Sequence, residues 1–100
     1  MVVGDDRQRY ISFIIEGAET DRRGMINAIR NEFSREEYEE IKPWLTVFEG
    51  DRGILRCKHI GKERAVEVMN EIEVDKGKVK TIITSGTIKK AKKALKDHDR

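Results

Sequence analysis

The hydrophobic period of this chain changes within the stretch Lys78–Lys96. Its first half alternates and is rich in β-branched residues, which predicts a strand that ends at Ser85 and Gly86. Beyond that break, apolar residues recur at helical spacing and gather on one side, at Ile88, Ala91, Ala94 and Leu95. The stretch therefore predicts a strand, a sharp turn and an amphipathic helix in direct succession.

The opposite side of this predicted helix carries only lysines, namely Lys89, Lys90, Lys92, Lys93 and Lys96. Such a helix rests on its own domain and presents positive charge outward, where a polyanion is the natural partner. The preceding Ser85, Gly86 and Thr87 leave backbone N–H groups at the helix start, where a phosphate can bind. The alternative is a solvated lysine-rich end of a heat-stable protein, because charge runs commonly only solvate.

Positive charge is concentrated at the end of the chain. The net charge is +2, and the stretch from Ser85 onward contains six basic and two acidic residues. A single cysteine, Cys57, cannot form an internal disulfide or a thiolate zinc site, which indicates an intracellular, metal-free protein. No apolar run approaches the roughly 20 residues of a membrane span. We expect a cytoplasmic protein that does not associate with membranes.

One hundred residues predict a single domain. We place a flexible N-terminus at residues 1–8, the domain at 9–96 and a tail at 97–100. Arg9–Ile15 is apolar on both alternating faces, which is typical of a central strand covered on both sides.

The remaining elements follow from caps, breaks and periodicity. Thr20 or Asp21 caps a helix that reaches Phe33, and Ser34 with Glu37 forms a capping box. The predicted order continues with a short helix Arg35–Ile41, a strand Trp44–Glu49, a hairpin loop Gly50–Gly53, a strand Ile54–His59 and a helix Lys62–Ile72. Without the short helix and the basic C-terminal helix, this order is βαββαβ. It predicts an α+β fold of the ferredoxin-like, RNA-recognition-like class, with the first and third strands central.

The third strand tests whether the sheet could bind unpaired bases. RNA-recognition domains carry Lys/Arg-Gly-aromatic-x-aromatic there, and the rings stack on bases. Here Arg52 and Gly53 match, but Ile54 and Arg56 stand where the rings should be. Base stacking is therefore not expected, which leaves Arg56 and Lys58 to meet phosphates or a protein, or simply to be solvated.

The residues predict no catalytic or metal site. His59 and His98 are far apart in sequence, and Cys57 lies among core-facing residues. Carboxylates are spread over helix exteriors instead of being paired beneath apolar cover. A small phosphate-transfer enzyme of this fold would need an anion-binding loop after the first strand, where Glu16 and Glu19 would repel phosphate.

Three stretches together resemble one known family. RYISFII, PWLTVFEGDRGILRC and TIITSGTIKKAKKAL are similar to the archaeal ribonuclease P protein component 2 family, the relatives of a eukaryotic subunit shared by ribonucleases P and MRP. The resemblance runs from about Arg9 to Leu95. Its most specific parts are the Arg52–Arg56 hairpin strand and Ser85–Ile88, which leads into the lysines.

The resemblance implies an accessory subunit of the enzyme that removes 5′ leaders from precursor tRNA. In that family the RNA subunit carries the active site and holds the magnesium ions, so this chain would bind no cofactor. The implied partners are ribonuclease P RNA, protein component 3, other ribonuclease P proteins and, through the complex, precursor tRNA. Components 2 and 3 can form a two-plus-two assembly, which would include a homodimer of component 2.

Our hypothesis for the RNA-binding residues combines the basic helix with the third strand. The set comprises Arg52, Arg56, Lys58, Ser85, Gly86, Thr87, Lys89, Lys90, Lys92 and Lys93. Whether Arg23 and Arg30, on the first helix, join this surface stays open. A ferredoxin-like interaction or dimerisation module without RNA is the main alternative, and a small phosphate-transfer enzyme is the third.

Overall fold

A five-stranded antiparallel sheet is the frame of the protein in the computed structural model, which describes residues 7–98. In chain order the strands are β1 (Gln8–Glu16), β2 (Trp44–Glu49), β3 (Arg52–Lys58), β4 (Glu73–Val74) and β5 (Gly77–Ser85). The helices are α1 (Arg22–Glu32), α2 (Arg35–Ile41), α3 (Lys62–Glu71) and α4 (Ile88–His98), and a 3₁₀ turn spans His59–Gly61. The sheet order is β2-β3-β1-β5-β4.

The predicted βαββαβ arrangement is confirmed, with β1 and β3 between other strands. The additions to this arrangement are α2, α4 and the two-residue strand β4. Both helices were predicted from the sequence, whereas β4 was not. β4 pairs with the start of β5 across a turn in which Asp75 adopts a positive φ of 54°. Two residues are too few to show a hydrophobic period, so no pattern could have revealed this strand.

The helices cover both faces of the sheet. α1, α2 and α3 pack on one face, where the larger apolar cluster includes Phe13, Met25, Ile41 and Met69. α4 alone packs on the other face, over a smaller cluster of Ile14, Ile54, Ala91 and Leu95. The predicted cover on both sides of β1 is therefore present.

A buried hydrogen bond joins α4 to the central strand. Ser12 is fully buried in β1, and its Oγ donates to the carbonyl oxygen of Ala91 at 2.8 Å. Burying a hydroxyl is favourable only when it finds such a partner. This bond therefore orients α4 on the sheet, beyond what apolar contact alone would do.

The strict alternation predicted for β5 is correct as far as Ile82 and wrong beyond it, at Ile83 and Thr84. Ser12 pairs with Ile83 but the next residue, Phe13, pairs with Thr81, so a β-bulge places Ile82 between two registers. The Ile82 side chain packs on the α4 cluster. A bulge inserts one residue into a strand, and the hydrophobic pattern of that strand does not by itself reveal the insertion.

The hairpin between β2 and β3 is tighter than predicted. Only Gly50 and Asp51 form the turn, because Arg52 already pairs with Glu49 inside the sheet. Gly53 also lies in β3, where a Cβ atom would come within 2.5 Å of the Val47 carbonyl oxygen. The prediction also ended this strand one residue too late, because His59 is the first residue of the 3₁₀ turn.

The helix starts follow the predicted caps. Asp21, and not Thr20, caps α1 by accepting a hydrogen bond from the Gly24 amide at 2.7 Å. The capping box of Ser34 and Glu37 is present in full.

The ends of the domain differ slightly from the prediction. β1 begins at Gln8 and α4 reaches His98, whereas residues 1–6 and 99–100 of the predicted flexible N-terminus and tail lie outside the described part of the chain.

Replacing Ser12 with alanine tests the bond to α4. We expect Ser12→Ala to lower the free energy of unfolding by about 1 kcal/mol, because a buried hydrogen bond is lost. Thr84→Val removes an exposed hydroxyl from β5 and is the control. Urea unfolding of both variants and the wild type gives the comparison. Equal stability of Ser12→Ala and the wild type would show that the bond does not hold α4.

A carboxylate that links α2 to α3 makes stability depend on pH. The side chain of Arg64 and the amide of Ser34 both donate to Glu37, and they hold the pKa of Glu37 below its ordinary value of 4.5. An acid with a depressed pKa in the folded state stabilises the protein above its unfolded pKa and loses that effect as the pH falls through the folded value. We therefore expect wild type to be more stable than Glu37→Gln at neutral pH.

The difference should shrink below about pH 4.5. Urea midpoints measured across this range test the expectation. Glu40→Gln, an exposed change on the same helix, is the control. A gap between wild type and Glu37→Gln that does not change with pH would contradict the assignment.

Candidate nucleic-acid interface

The lysine face of α4 is the densest run of exposed positive charge in the described part of the chain. Ala91 and Leu95 are buried against the sheet and Ile88 packs beside them. The lysines that the sequence analysis placed on the opposite side are all exposed: Lys89, Lys90, Lys92, Lys93 and Lys96. The apolar side of α4 is therefore buried against the sheet, and the exposed side carries five lysines and, near its end, Asp97.

The sheet face beneath α4 is closed to bases. Ile54 occupies the first of the two positions where a stacking ring was expected, and it is fully buried in the α4 cluster. The sequence predicts no base stacking because the rings are absent. The structure adds a second reason, which the sequence analysis missed: α4 itself lies over this face.

The turn before α4 satisfies part of its own hydrogen bonding. The Ser85 hydroxyl is nearly buried and accepts from the Thr87 amide at 3.2 Å, and the Thr87 hydroxyl accepts from the Lys90 amide at 3.3 Å. Within the first turn of α4, the amides of Ile88 and Lys89 then remain for an external anion, and the Gly86 amide precedes them. Ser85 shapes the turn, whereas Gly86 and Thr87 are exposed.

The basic residues of β3 share a face but not a site. Arg52, Arg56 and Lys58 alternate with core residues and are half-buried along the α4 side of the strand. Arg52 donates to Asp51 at 3.2 Å and lines an open depression with Lys92. Lys58 lies at the other end of β3, about 20 Å away by the rise of a strand. The structure therefore joins Arg52, but not Lys58, to the C-terminal half of α4.

Arg9 was missed by the sequence analysis. Its guanidinium lies 3.7 Å from the point that a Cβ on Gly86 would occupy, so it stands beside the turn that leads into α4. The pairing of Tyr10 with Ser85 brings the two segments together. The register between two strands so far apart in sequence could not be predicted from either segment alone.

The basic stripe of α1 lies on the other side of the sheet from α4. Arg23 and Arg30 are both exposed, and the Arg30 guanidinium sits 5.9 Å from the centre of the Tyr38 ring. α1 packs on the face opposite α4, so neither arginine extends the α4 surface.

An apolar crevice opens between α1, α2 and β2. Its lining consists of Ile26, Ile29, Arg30, Tyr38, Pro43, Trp44 and Leu45. Trp44 is 54% exposed, although a tryptophan is normally covered. Tryptophan, tyrosine and arginine together are the residues that dominate binding energy at protein interfaces.

The described residues offer little for catalysis. Burial raises the pKa of the Cys57 thiol to about 11, and Lys62 lowers the pKa of His59. Within residues 7–98, no group of three or more His, Cys, Asp or Glu side chains could hold a metal ion. The groove after β1 is lined by Glu19 and Asp75 as well as Lys76, a poor setting for phosphate.

No helix in this part of the chain is long and apolar enough to cross a membrane.

Comparison with known proteins gives a fold and no family. No protein-family model matches the chain, and no curated protein matches it either. Among solved structures, one chain in the cryo-EM structure of yeast ribonuclease MRP superposes with a TM-score of 0.66. The two chains share a fold. The match covers 94% of this chain and 92% of the yeast chain at 12% sequence identity, so it spans nearly all of both chains.

The reactivity of the buried thiol tests whether Cys57 could act as a nucleophile. Because burial disfavours the thiolate, we expect Cys57 in the native protein to react with a disulfide reagent at about pH 8 at least tenfold more slowly than in the unfolded protein. The measurement is the rate of thiol release with and without denaturant. Equal rates in the two states would show that Cys57 is an accessible nucleophile.

Proposed function

We propose that this chain is an accessory RNA-binding subunit of a ribonucleoprotein endoribonuclease of the ribonuclease P and MRP kind. In the form that the sequence resemblance implies, it supports the catalytic RNA in removing 5′ leaders from precursor tRNA. The observation that carries the proposal is the arrangement of α4. This helix buries its apolar side against the sheet and exposes a row of lysines. A cationic row along one side of a helix is the electrostatic footprint of a surface that binds nucleic acid.

Two separate observations support the same class of complex. The sequence resembles component 2 of archaeal ribonuclease P, and the fold matches a chain of yeast ribonuclease MRP over nearly all its length. The first rests on short motifs and the second on backbone shape, so neither depends on the other. The paucity of catalytic groups among the described residues fits a subunit whose enzyme keeps its active site and its magnesium ions in the RNA.

The mode of RNA binding follows from the closed sheet. Folded RNA is recognised mainly by shape, phosphate and ribose contacts, for which lysine and arginine suffice. We assign these contacts to Lys89, Lys90, Lys92 and Lys93, with the exposed Gly86 and Thr87 at the helix start and with Arg52, Arg56 and Lys58 at the flank. Ser85 contributes by shaping the turn.

A partner protein would bind away from α4. The resemblance names component 3 as that partner, within a two-plus-two assembly. Two surfaces suit a protein: the crevice around Trp44, and the outward side of α3, where Glu63, Glu67 and Glu71 are exposed. The crevice also favours the second candidate function, an interaction module without RNA, because its aromatic and arginine lining is typical of protein interfaces.

Neutralising the α4 lysines tests the RNA contact. The affinity of a protein for RNA falls with salt in proportion to the phosphate contacts it makes, at a log-log slope of about 0.7 to 0.9 for each contact. We expect a variant with glutamine at all four α4 positions to lose about three units of slope. The changed residues are Lys89, Lys90, Lys92 and Lys93.

A control with the same loss of charge removes exposed cations elsewhere, at Arg35, Lys42, Lys76 and Lys78. Binding of both variants to the catalytic RNA is measured by fluorescence anisotropy at several potassium chloride concentrations. If the α4 variant keeps the wild-type slope, the helix is not part of the RNA interface.

Cleavage tests the function itself. An archaeal ribonuclease P RNA is assayed on precursor tRNA at limiting magnesium, with component 3 present and this protein added or withheld. A clear gain in cleavage rate that depends on this chain is the expected result. No gain with a folded protein and a matched RNA would move the assignment to the RNA-free module.

A further inference from the structure

A second group of cations gathers at the end of the sheet where β1 begins and β3 and β5 end. The side chains come from three segments that the register brings together, since Gln8 pairs with Lys58 and the His59 amide donates to the Arg7 carbonyl at 2.9 Å. We call this surface the basic end. It consists of Arg7, Arg9, His59 and Lys62.

The basic side chains of the basic end lie close together. The Lys62 Nζ lies 3.5 Å from the His59 Nδ1. Among residues 7–98, none of these four side chains forms an ion pair with a carboxylate. Like charges held together without counterions raise the free energy of the folded state, and an anionic ligand relieves that cost.

The charges around His59 act on its protonation. Lys62 has the largest effect, followed by burial and then by Arg9 and Arg7, and together they lower the pKa of His59 below its ordinary 6.5. The other titratable neighbour is Cys57 on β3, whose raised pKa keeps it neutral. His59 is therefore neutral near pH 7 when nothing is bound.

The basic end is continuous with the start of α4. Arg9 belongs to this group and also stands beside Gly86, in the turn that leads to the first lysines of α4. Ile60, at the centre of the 3₁₀ turn, is 79% exposed and offers an apolar surface for a ribose or a base edge. A chain of phosphates lying along the N-terminal half of α4 would thus reach the basic end by way of Arg9.

We infer that the basic end is a second phosphate-binding surface for the same RNA, and that His59 takes up a proton when a phosphate binds there. This inference rests on the proposed function, because the ligand is the RNA that α4 binds. A phosphate oxygen that contacts both Lys62 and His59 accepts a hydrogen bond from each and screens the repulsion between Lys62 and a protonated His59, which favours the protonated imidazole. Proton uptake links RNA affinity to pH, so binding tightens as the pH falls towards about 6.

The test compares two changes at the basic end with a matched control at the opposite end of the sheet. The first variant combines Arg9→Gln with Lys62→Gln, the second is His59→Gln, and the control combines Lys76→Gln with Lys78→Gln. Circular dichroism establishes that each variant is folded. Affinity for the catalytic RNA is then measured against salt at two values, about pH 5.8 and about pH 7.4, on either side of the ordinary histidine pKa.

We expect the double variant to lose between about one and two units of salt slope, at about 0.7 to 0.9 for each phosphate contact, while the control keeps the wild-type slope. Wild type should bind severalfold more tightly at the lower pH, and His59→Gln should lose most of that gain. The His59 ring resonances should also titrate at a higher pH with RNA than without.

Three results would overturn the inference. If the double variant keeps the wild-type slope while the α4 lysine variant loses its own, α4 binds RNA and the basic end does not. If His59→Gln keeps the full pH dependence and the ring pKa does not rise with RNA, proton uptake occurs elsewhere. If wild type does not bind the RNA at all, the proposed function fails and this inference fails with it.

Discussion

The docking of α4 on the sheet is the interaction on which the rest of the structure depends. Leu95 and Ala91 bury the apolar side of the helix over Ile54, and Ser12 fixes its position by a hydrogen bond from the central strand. A five-stranded sheet with helices on one face only would leave the other apolar face in water. Because α4 covers that face, its own lysines are directed outward as a necessary consequence of packing.

Because α4 packs on the sheet, the fold does not support the binding of unpaired bases that is usually associated with its topology. A βαββαβ sheet with exposed rings binds unpaired bases, but here the corresponding position, Ile54, is buried. The surface that replaces the open sheet is a helix whose exposed side is nearly all cationic, continued by Arg9 and the turn at His59. Such a surface suits phosphates held in a fixed geometry, which a folded RNA provides and a flexible single strand does not.

Local patterns predicted the elements, whereas the contacts between distant segments were not predictable. The change of period at Ser85 and the capping box at Ser34 each lie within a few neighbouring residues, and both are present in the structure. The bulge at Ile82 and the approach of Arg9 to Gly86 depend instead on how β1 meets β5. Of the ten predicted RNA-binding residues, the four lysines of α4 lie together on the exposed side of that helix, as its period predicts. The structure assigns Ser85 a structural part and separates Lys58 from Arg52.

The central claim is that RNA binds outside a sheet face that stays closed. Amide hydrogen exchange, followed by mass spectrometry with and without the catalytic RNA, tests it most directly. The account predicts added protection in peptides from Gly86 to Lys93 and unchanged slow exchange in β1 and β3. Faster exchange throughout α4 on RNA binding, with altered exchange in β1 and β3, would show that the helix lifts from the sheet and would contradict the account.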